Sequence, residues 1–319
     1  MASVEDRQWP RSSSPFSPRG TIARAAWHTH GMSTRRSGKG DLGSTDSRTR
    51  PAIAVSPQTR DRLADQAPAR SAWRYDVARG AARLFTWGYS GYRLEGAERL
   101  PSGPCVLCFS HPNWIDPLYL IAALPSRPRA YFFGPAQEDM TTGLRNRLMR
   151  WAGVAIPFRP GSRGLLAATR RAEWVLAAGD RVVVAGEGRI HAGEAVVLPL
   201  LEGPAYLSLR SSVPLVPVAV NGTSWLAFRR RVRIRIGRPI VPATAVEDGS
   251  PAGPSHVDPE AGRALTAAAQ KALLELVDDF PDPPRPRWLG SRLTEMFNDW
   301  PEGSRPPTPP RNPSTGANH

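Results

Sequence analysis

Short apolar runs alternate with amphipathic stretches along the middle of the chain. A short apolar run bounded by turn residues is typical of a buried strand, whereas apolar residues spaced three and four apart are typical of a helix. Strands are predicted at residues 92–96, 105–109, 130–133, 154–158, 181–185, 213–220 and 231–236. Helices are predicted at residues 71–88, 117–124, 138–152, 163–178, 202–211 and 258–280. This alternation predicts an α/β fold with a mixed, mostly parallel sheet flanked by helices.

Two of the predicted elements have distinctive surfaces. Arginine and apolar residues alternate along 231–236, which predicts a half-exposed strand at an edge of the sheet. The helix at 71–88 carries Trp73 and Phe85 on an apolar face with arginines beside it. Aromatic residues flanked by arginine suit a membrane interface, but a helix packed on the core has the same pattern. Both interpretations of this N-terminal amphipathic helix stay open.

The two ends of the chain differ from the middle in composition. Residues 1–68 are rich in Arg, Ser, Thr, Pro and Gly, which predicts a disordered basic tail. Residues 69–282 contain the alternating pattern and form one predicted domain. Residues 283–319 are rich in proline, which predicts a second, largely disordered tail. Within this tail, a short segment at 288–297 is able to dock onto the domain.

The charge of the chain points to anionic partners. The formal net charge is +14, and arginine supplies nearly all of the positive charge because Lys39 and Lys271 are the only lysines. Such a balance fits a nucleic acid, an anionic membrane surface or a phosphate-bearing substrate. No run of 18 apolar residues occurs, so no transmembrane helix is predicted. We therefore expect a peripheral protein on the cytoplasmic side of a membrane.

The stretch from Cys105 to Asp116 carries the strongest signal of chemistry. An apolar strand ends in a turn that contains His111, and Asp116 followed by Pro117 predicts a helix start with Asp116 as the N-cap. A neutral imidazole in this turn is able to take a proton from an alcohol, and a carboxylate on its other nitrogen fixes its tautomer. The alternative, in which Asp116 only caps its helix, stays open on this evidence.

Two cysteines precede this histidine. Cys105, Cys108 and His111 have a spacing that occurs in zinc sites. Residues three apart on a strand, however, face opposite sides of the sheet. We therefore predict that both are core cysteines and that the protein has no metal site.

Other polar residues also directly follow predicted strands. They are Arg159, then Glu187 with Arg189, and then Asn221 with Thr223. Ligands of parallel α/β sheets bind outside the carboxyl ends of the strands. These residues and the His111 turn are therefore predicted to share one site.

Four motifs in this order resemble the glycerolipid acyltransferase family over about residues 90–240. They are the His-x-x-x-x-Asp pattern at His111 and Asp116, Phe158-Arg159, Glu187-Gly188, and the apolar proline segment 216–218. The resemblance implies a fold like that of the glycerol-3-phosphate acyltransferases. Three departures are Ser110 where asparagine is usual, Gly186 where proline is usual, and Arg189 one position earlier than the usual arginine.

The resemblance also implies residue roles. His111 and Asp116 would be catalytic. The acceptor and its phosphate would be bound by Arg159, Glu187, Gly188 and Arg189. The substrate would be positioned by Asn113, Phe158 and Pro217. No cofactor is implied, because acyl-CoA or acyl-carrier protein is a co-substrate.

The resulting expectation is an O-acyltransferase. It would move a fatty acyl group from an acyl thioester to the hydroxyl of a lysophospholipid without an acyl-enzyme. The expected acceptor is 1-acylglycerol-3-phosphate, which would give phosphatidic acid. One alternative is a different hydroxyl acceptor, such as a lyso-ornithine lipid. A remote alternative is a basic nucleic-acid-binding protein, but no zinc-finger, helix-turn-helix or RNA-binding signature is present. A nucleic acid partner is therefore not expected.

Overall fold

The structure is a computed structural model that describes residues 72–135, 149–158, 162–242, 257–277, 280 and 288–298. The predicted tail at 1–68 and most of the predicted helix at 138–152 lie outside the described residues. Every helix among the described residues is too short or too polar to span a lipid bilayer.

Seven strands form one sheet, and each predicted strand is confirmed with small shifts at its ends. They are β1 Tyr92–Glu95, β2 Val106–Phe109, β3 Ala130–Pro135, β4 Ala155–Phe158, β5 Arg181–Ala185, β6 Leu215–Asn221 and β7 Val232–Ile236. The strand order is β1-β7-β6-β2-β5-β3-β4. The five strands from β6 to β4 are parallel. The sheet is mixed because β7 runs antiparallel to β6 and pairs in parallel with β1.

The prediction that 231–236 lies at an edge of the sheet is wrong. β7 lies between β6 and β1, so its backbone pairs on both sides, and the edge position belongs to β1. The alternation along β7 instead reflects its two faces. Val232, Ile234 and Ile236 are buried, whereas Arg233 and Arg235 are partly exposed.

Six helices have both of their ends within the described residues. They are α1 Ala72–Tyr89, α2 Asp116–Ala123, α3 Ser162–Ala177, α4 Gly203–Ser211, α5 Pro259–Val277 and α6 Trp288–Asn298. α1 and α2 contribute to the core on one face of the sheet, and α3, α4 and α5 contribute to the core on the other face. The central strands are buried on both faces, as expected of a parallel sheet covered by helices.

The two cysteines lie in different cores. Cys105 belongs to the core beside α1 and α2, whereas Cys108 belongs to the core beside α3, α4 and α5. Both are buried free thiols, and their places in the two different cores confirm that they face opposite sides of the sheet. Within the described ranges, no three His, Cys, Asp or Glu residues lie close enough together to hold a metal ion.

The N-terminal amphipathic helix has an inward face and an outward face of different composition. α1 packs on the core through Tyr75, Ala82 and Thr86. The face predicted from the sequence is the other one, and it is open to solvent: Trp73 and Leu84 are 59% and 69% exposed. The sequence pattern therefore found the outward face of α1, whereas the inward face depends on small and polar residues that give a weaker signal.

Candidate active site

The predicted histidine and aspartate meet in the turn between β2 and α2. His111 Nδ1 lies 2.9 Å from Asp116 Oδ2. The Asp116 side chain is fully buried, while the His111 side chain keeps 12% of its surface exposed. The pair therefore joins an inner carboxylate to an imidazole that solvent still reaches.

Asp116 does not cap its helix as predicted. The N-cap is Ile115, and Asp116 is the first residue of α2. Asp116 Oδ2 instead accepts hydrogen bonds from the backbone N–H of Asn113 at 2.9 Å and from the His111 ring. The carboxylate faces back into the turn, where both of these donors lie.

Asn113 holds this turn in place. Its Nδ2 donates to the Thr223 carbonyl at 2.8 Å, and its Oδ1 accepts from the Ile115 N–H at 3.0 Å. The side chain is completely buried. The structure thus connects Asn113 to the loop after β6, so any effect of Asn113 on a substrate acts through the turn.

The hydrogen bond on Nδ1 sets the chemistry of the ring. A carboxylate that accepts from Nδ1–H leaves the lone pair of the neutral ring on Nε2. Nε2 has no hydrogen-bonding partner among the described residues. Phe109 stacks edge-on against the ring, with 5.0 Å between centroids, and limits its rotation. With this tautomer, Nε2 is the ring nitrogen that is able to accept a proton.

The loop after β5 lies directly against the His111 turn. The Gly186 N–H donates to the Phe109 carbonyl at 3.1 Å, and the His191 N–H donates to the His111 carbonyl at 3.2 Å. β2 and β5 are neighbours in the sheet, so the loops that follow them emerge side by side. The structure thus brings Glu187 and its loop to His111, as the sequence predicted.

The Glu187 carboxylate is used inside its own loop. Oε1 accepts from the Leu198 N–H at 3.1 Å, and Oε2 lies 3.0 Å from His191 Nε2. The latter atoms are within ion-pair distance, although their angles are not those of a hydrogen bond. Both side chains are buried. Glu187 and His191 therefore form a second histidine–carboxylate pair, and His191 was not singled out from the sequence even though it follows Glu187 by four residues.

Two glycines flank Glu187 for different reasons. A Cβ on Gly186 would lie 2.5 Å from Cys108 Sγ and 2.8 Å from Leu200 Cδ2. The usual proline is therefore excluded here because the Cys108 and Leu200 side chains occupy its space, and because proline would lose the N–H bond to Phe109. Gly188 has a φ of +67°, which favours glycine, and a Cβ there would also meet Leu201.

Glu194 is a second buried carboxyl that the sequence did not reveal. It accepts from the N–H groups of Gly222 at 2.6 Å and Ser224 at 2.8 Å. Burial raises the pKa of Glu194, and the nearby Asp116 carboxylate raises it further. Glu194 thus holds the loop after β6, whose Thr223 carbonyl in turn holds Asn113.

The remaining predicted residues lie at different distances from this centre. Arg189 is exposed beside the Glu187 loop. Phe158 stacks on Phe133 at the end of β4, with ring centroids 5.1 Å apart. β4 is three strands from β2, or about 14 Å at the usual ~4.8 Å strand spacing. Arg159 lies outside the described residues.

Pro217 lies within the sheet. It is buried in β6 and level with Cys108 of β2. Its carbonyl accepts from the Gly237 N–H at 2.8 Å, just beyond the end of β7. Proline has no N–H to return this bond, and the next antiparallel pair along β6 is the isolated bridge between Leu215 and Ile240. The structure gives Pro217 this contact in the sheet, and its role in substrate positioning stays a prediction.

One protein-family model matches the part of the chain that contains this site. Residues 91–221 match the family model described as Acyltransferase. That segment contains the His111 turn, the Glu187 loop and all of β6. Over this segment the chain is therefore similar to the Acyltransferase family.

A solved structure is also similar to this chain. It is the 1-acyl-sn-glycerophosphate (LPA) acyltransferase PlsC from Thermotoga maritima, with 19% sequence identity and a TM-score of 0.47. The match covers 64% of this chain and 79% of that chain. None of the curated proteins matches the chain.

Proposed function

We propose that the protein transfers a fatty acyl group from acyl-CoA or acyl-carrier protein to the free hydroxyl of a lysophospholipid, with 1-acylglycerol-3-phosphate as the acceptor. The observation that carries this proposal is the His111–Asp116 pair, with Nε2 available at the carboxyl edge of a parallel sheet. The reaction needs neither a metal nor an organic cofactor, because the thioester is already activated.

The proposed mechanism is direct transfer. His111 Nε2 takes the proton of the acceptor hydroxyl as the oxygen attacks the thioester carbonyl, and Asp116 stabilises the imidazolium that forms. The tetrahedral intermediate collapses by breaking the C–S bond. The imidazolium returns its proton to the departing thiolate, which leaves as a free thiol.

Cys108 is a poor candidate for a covalent nucleophile. It is fully buried, and burial raises the pKa of its thiol to about 12, with the Glu187 carboxylate adding to the rise. A thiol acts as a nucleophile in its thiolate form, which is scarce at neutral pH when the pKa is so high. This supports transfer without an acyl-cysteine intermediate.

The choice of a phosphate-bearing lipid as the acyl acceptor depends on the arginine residues near the site. Arginine binds phosphate through charge-assisted hydrogen bonds, often two at once. We propose that Arg159 and Arg189 serve this purpose, while the buried Glu187 shapes the loop from which Arg189 extends. We give Glu187 this structural role because both of its carboxylate oxygens make contacts within the loop.

The test is an acceptor panel assayed with wild type and Arg159→Ala. Wild type is expected to prefer 1-acylglycerol-3-phosphate, and the variant is expected to raise its KM by roughly 10- to 100-fold through the loss of a charged hydrogen bond of about 1.5–3 kcal/mol. Lysophosphatidylcholine, lyso-ornithine lipid and free 1-acylglycerol are the comparison acceptors. An unchanged KM for 1-acylglycerol-3-phosphate in the variant would favour an acceptor without a terminal phosphate.

We also propose that the outer face of α1 binds a membrane surface. This face contains Trp73, Val77, Leu84 and Trp87, and Trp87 is 80% exposed. Arg83 lies among these residues, and Phe228 extends the apolar surface beside Tyr89. Aromatic and aliphatic residues mixed with arginine suit the interface of an anionic bilayer.

Sedimentation with vesicles tests this proposal. The full chain is expected to bind vesicles of mixed phosphatidylglycerol and phosphatidylcholine at low salt, and the double variant L84Q/W87Q is expected to bind less because it removes apolar area from the interface. Leu166→Gln is the matched control, since Leu166 is 51% exposed on α3, across the sheet from α1. Equal binding by L84Q/W87Q and wild type would contradict a role for α1.

A further inference from the structure

The last helix contacts the turn that carries His111 and Asp116. The Asn298 side chain accepts a hydrogen bond through Oδ1 from the Trp114 N–H at 2.9 Å. Trp114 lies inside the turn, midway between the histidine and the aspartate. Asn298 is 184 residues away in sequence, and its side chain is more than nine-tenths buried. Asn298 directly follows the segment at 288–297 that the sequence predicted as able to dock, and it contacts the turn that carries the site.

The carboxamide oxygen that accepts from the Trp114 N–H lies outside the turn, whereas the N–H groups of the neighbouring residues find acceptors within the turn. The N–H of Asn113 donates to Asp116 Oδ2, that of Ile115 to Asn113 Oδ1, and that of Asp116 to the Asn113 carbonyl. Trp114 is the one amide of these four that donates to another element. The internal bonds fix the shape of the turn, and the bond to Asn298 ties that shape to the rest of the protein.

α6 is attached at a second point that serves as an internal comparison. Thr294, one helical turn before Asn298, accepts through Oγ1 from the Leu226 N–H at 2.8 Å. The same hydroxyl donates to the Gly290 carbonyl of its own helix at 2.9 Å. Both Thr294 and Asn298 are buried and each accepts from one backbone amide, but only Asn298 reaches the His111 turn. The helix therefore has two similar buried side chains that accept hydrogen bonds from different parts of the protein.

We infer that Asn298 is a positioning residue for the catalytic turn. This rests on the proposed function of His111 and extends it to the carboxyl-terminal part of the chain. A small displacement of a catalytic group lowers the rate far more than it lowers stability, because the reacting atoms must be aligned within fractions of an ångström.

The experiment compares three variants of the full chain. Asn298→Leu keeps the size of the side chain and removes the acceptor. Asn298→Asp keeps an acceptor oxygen and removes Nδ2, which makes no hydrogen bond among the described residues. Thr294→Val keeps the shape of the side chain and removes the hydroxyl that accepts from the Leu226 N–H. All three are assayed for kcat and KM on the acceptor that wild type uses best, and their melting temperatures are recorded.

The expected result separates positioning from stability. N298L is expected to lower kcat by about 10- to 100-fold with little change in KM. N298D is expected to recover most of this loss in kcat. T294V is expected to keep a wild-type kcat although its melting temperature falls about as much as that of N298L. Equal kcat in N298L and T294V would overturn the inference and leave α6 a purely structural element. Failure of the proposed function is a different outcome, in which His111→Ala is as active as wild type.

Amide hydrogen exchange provides a readout independent of activity. N298L is expected to speed exchange of the Trp114 amide, since its acceptor is gone, and T294V to leave that amide unchanged. Unchanged protection of Trp114 in N298L would overturn the inference even if no acceptor had been found.

Discussion

Replacing His111 with alanine is expected to lower the rate of acyl transfer by about 10²- to 10⁴-fold, which corresponds to roughly 3–5 kcal/mol of transition-state stabilisation. The loss is expected in kcat, because the imidazole acts on the proton of a bound acceptor and contributes little to holding it. The measurement is steady-state transfer from a labelled acyl thioester to a lysophospholipid.

The structure also indicates that the H111A variant will fold. The ring is the more exposed partner of the pair, and its backbone carbonyl, which accepts from His191 N–H, is retained in the variant. Its melting temperature and circular dichroism spectrum are the controls. A folded variant with wild-type turnover would remove His111 from the mechanism.

Substitution of Asp116 by asparagine is expected to lower kcat by roughly 10- to 100-fold, less than the loss in H111A. Both donors to the carboxylate, the Asn113 N–H and the His111 ring, point at the same oxygen, Oδ2. The other oxygen, Oδ1, is buried without a hydrogen-bonding partner among the described residues. The amide of asparagine therefore fits with its oxygen at the Oδ2 position and its NH₂ at the Oδ1 position. This keeps the ring tautomer and removes only the charge, worth about 1.5–3 kcal/mol in a charge-assisted bond.

Asp116→Ala is the companion variant. It removes the acceptor as well as the charge, so its kcat is expected to approach that of H111A, with a loss of stability from the unpaired Asn113 N–H of about 1–3 kcal/mol. Because His111 and Asp116 act as a unit, H111A/D116A is expected to be no slower than H111A alone. Wild-type activity in D116N would show that the carboxylate charge has no part in the reaction.

The sheet was predictable because its signals are local. The apolar runs at 105–109, 181–185 and 213–220 are short, rich in β-branched residues and bounded by turns, and their alternation with helices predicts parallel pairing. The neighbours of β7 were not predictable in the same way. Its alternating arginines report a half-exposed face, and a half-exposed face occurs in central as well as edge strands.

The site was predictable only where one short motif contains both partners. His111 and Asp116 are five residues apart, so a single turn brings them together. Glu194 and Asn298 act on that turn from distant parts of the chain, and nothing in their local sequence marks them. Asp116 was misassigned as a cap because Asp-Pro at a helix start has the same sequence signature whether the carboxylate faces the helix or the preceding turn.

The most direct measurement is product formation by the purified full chain. Labelled acyl-CoA or acyl-carrier protein is supplied with 1-acylglycerol-3-phosphate, and the lipid products are separated for wild type and H111A. Labelled phosphatidic acid is expected from wild type and almost none from H111A. The proposed function would be contradicted if folded wild-type protein left both thioesters intact in the presence of every lysolipid in the panel, or if the two proteins made phosphatidic acid at the same rate.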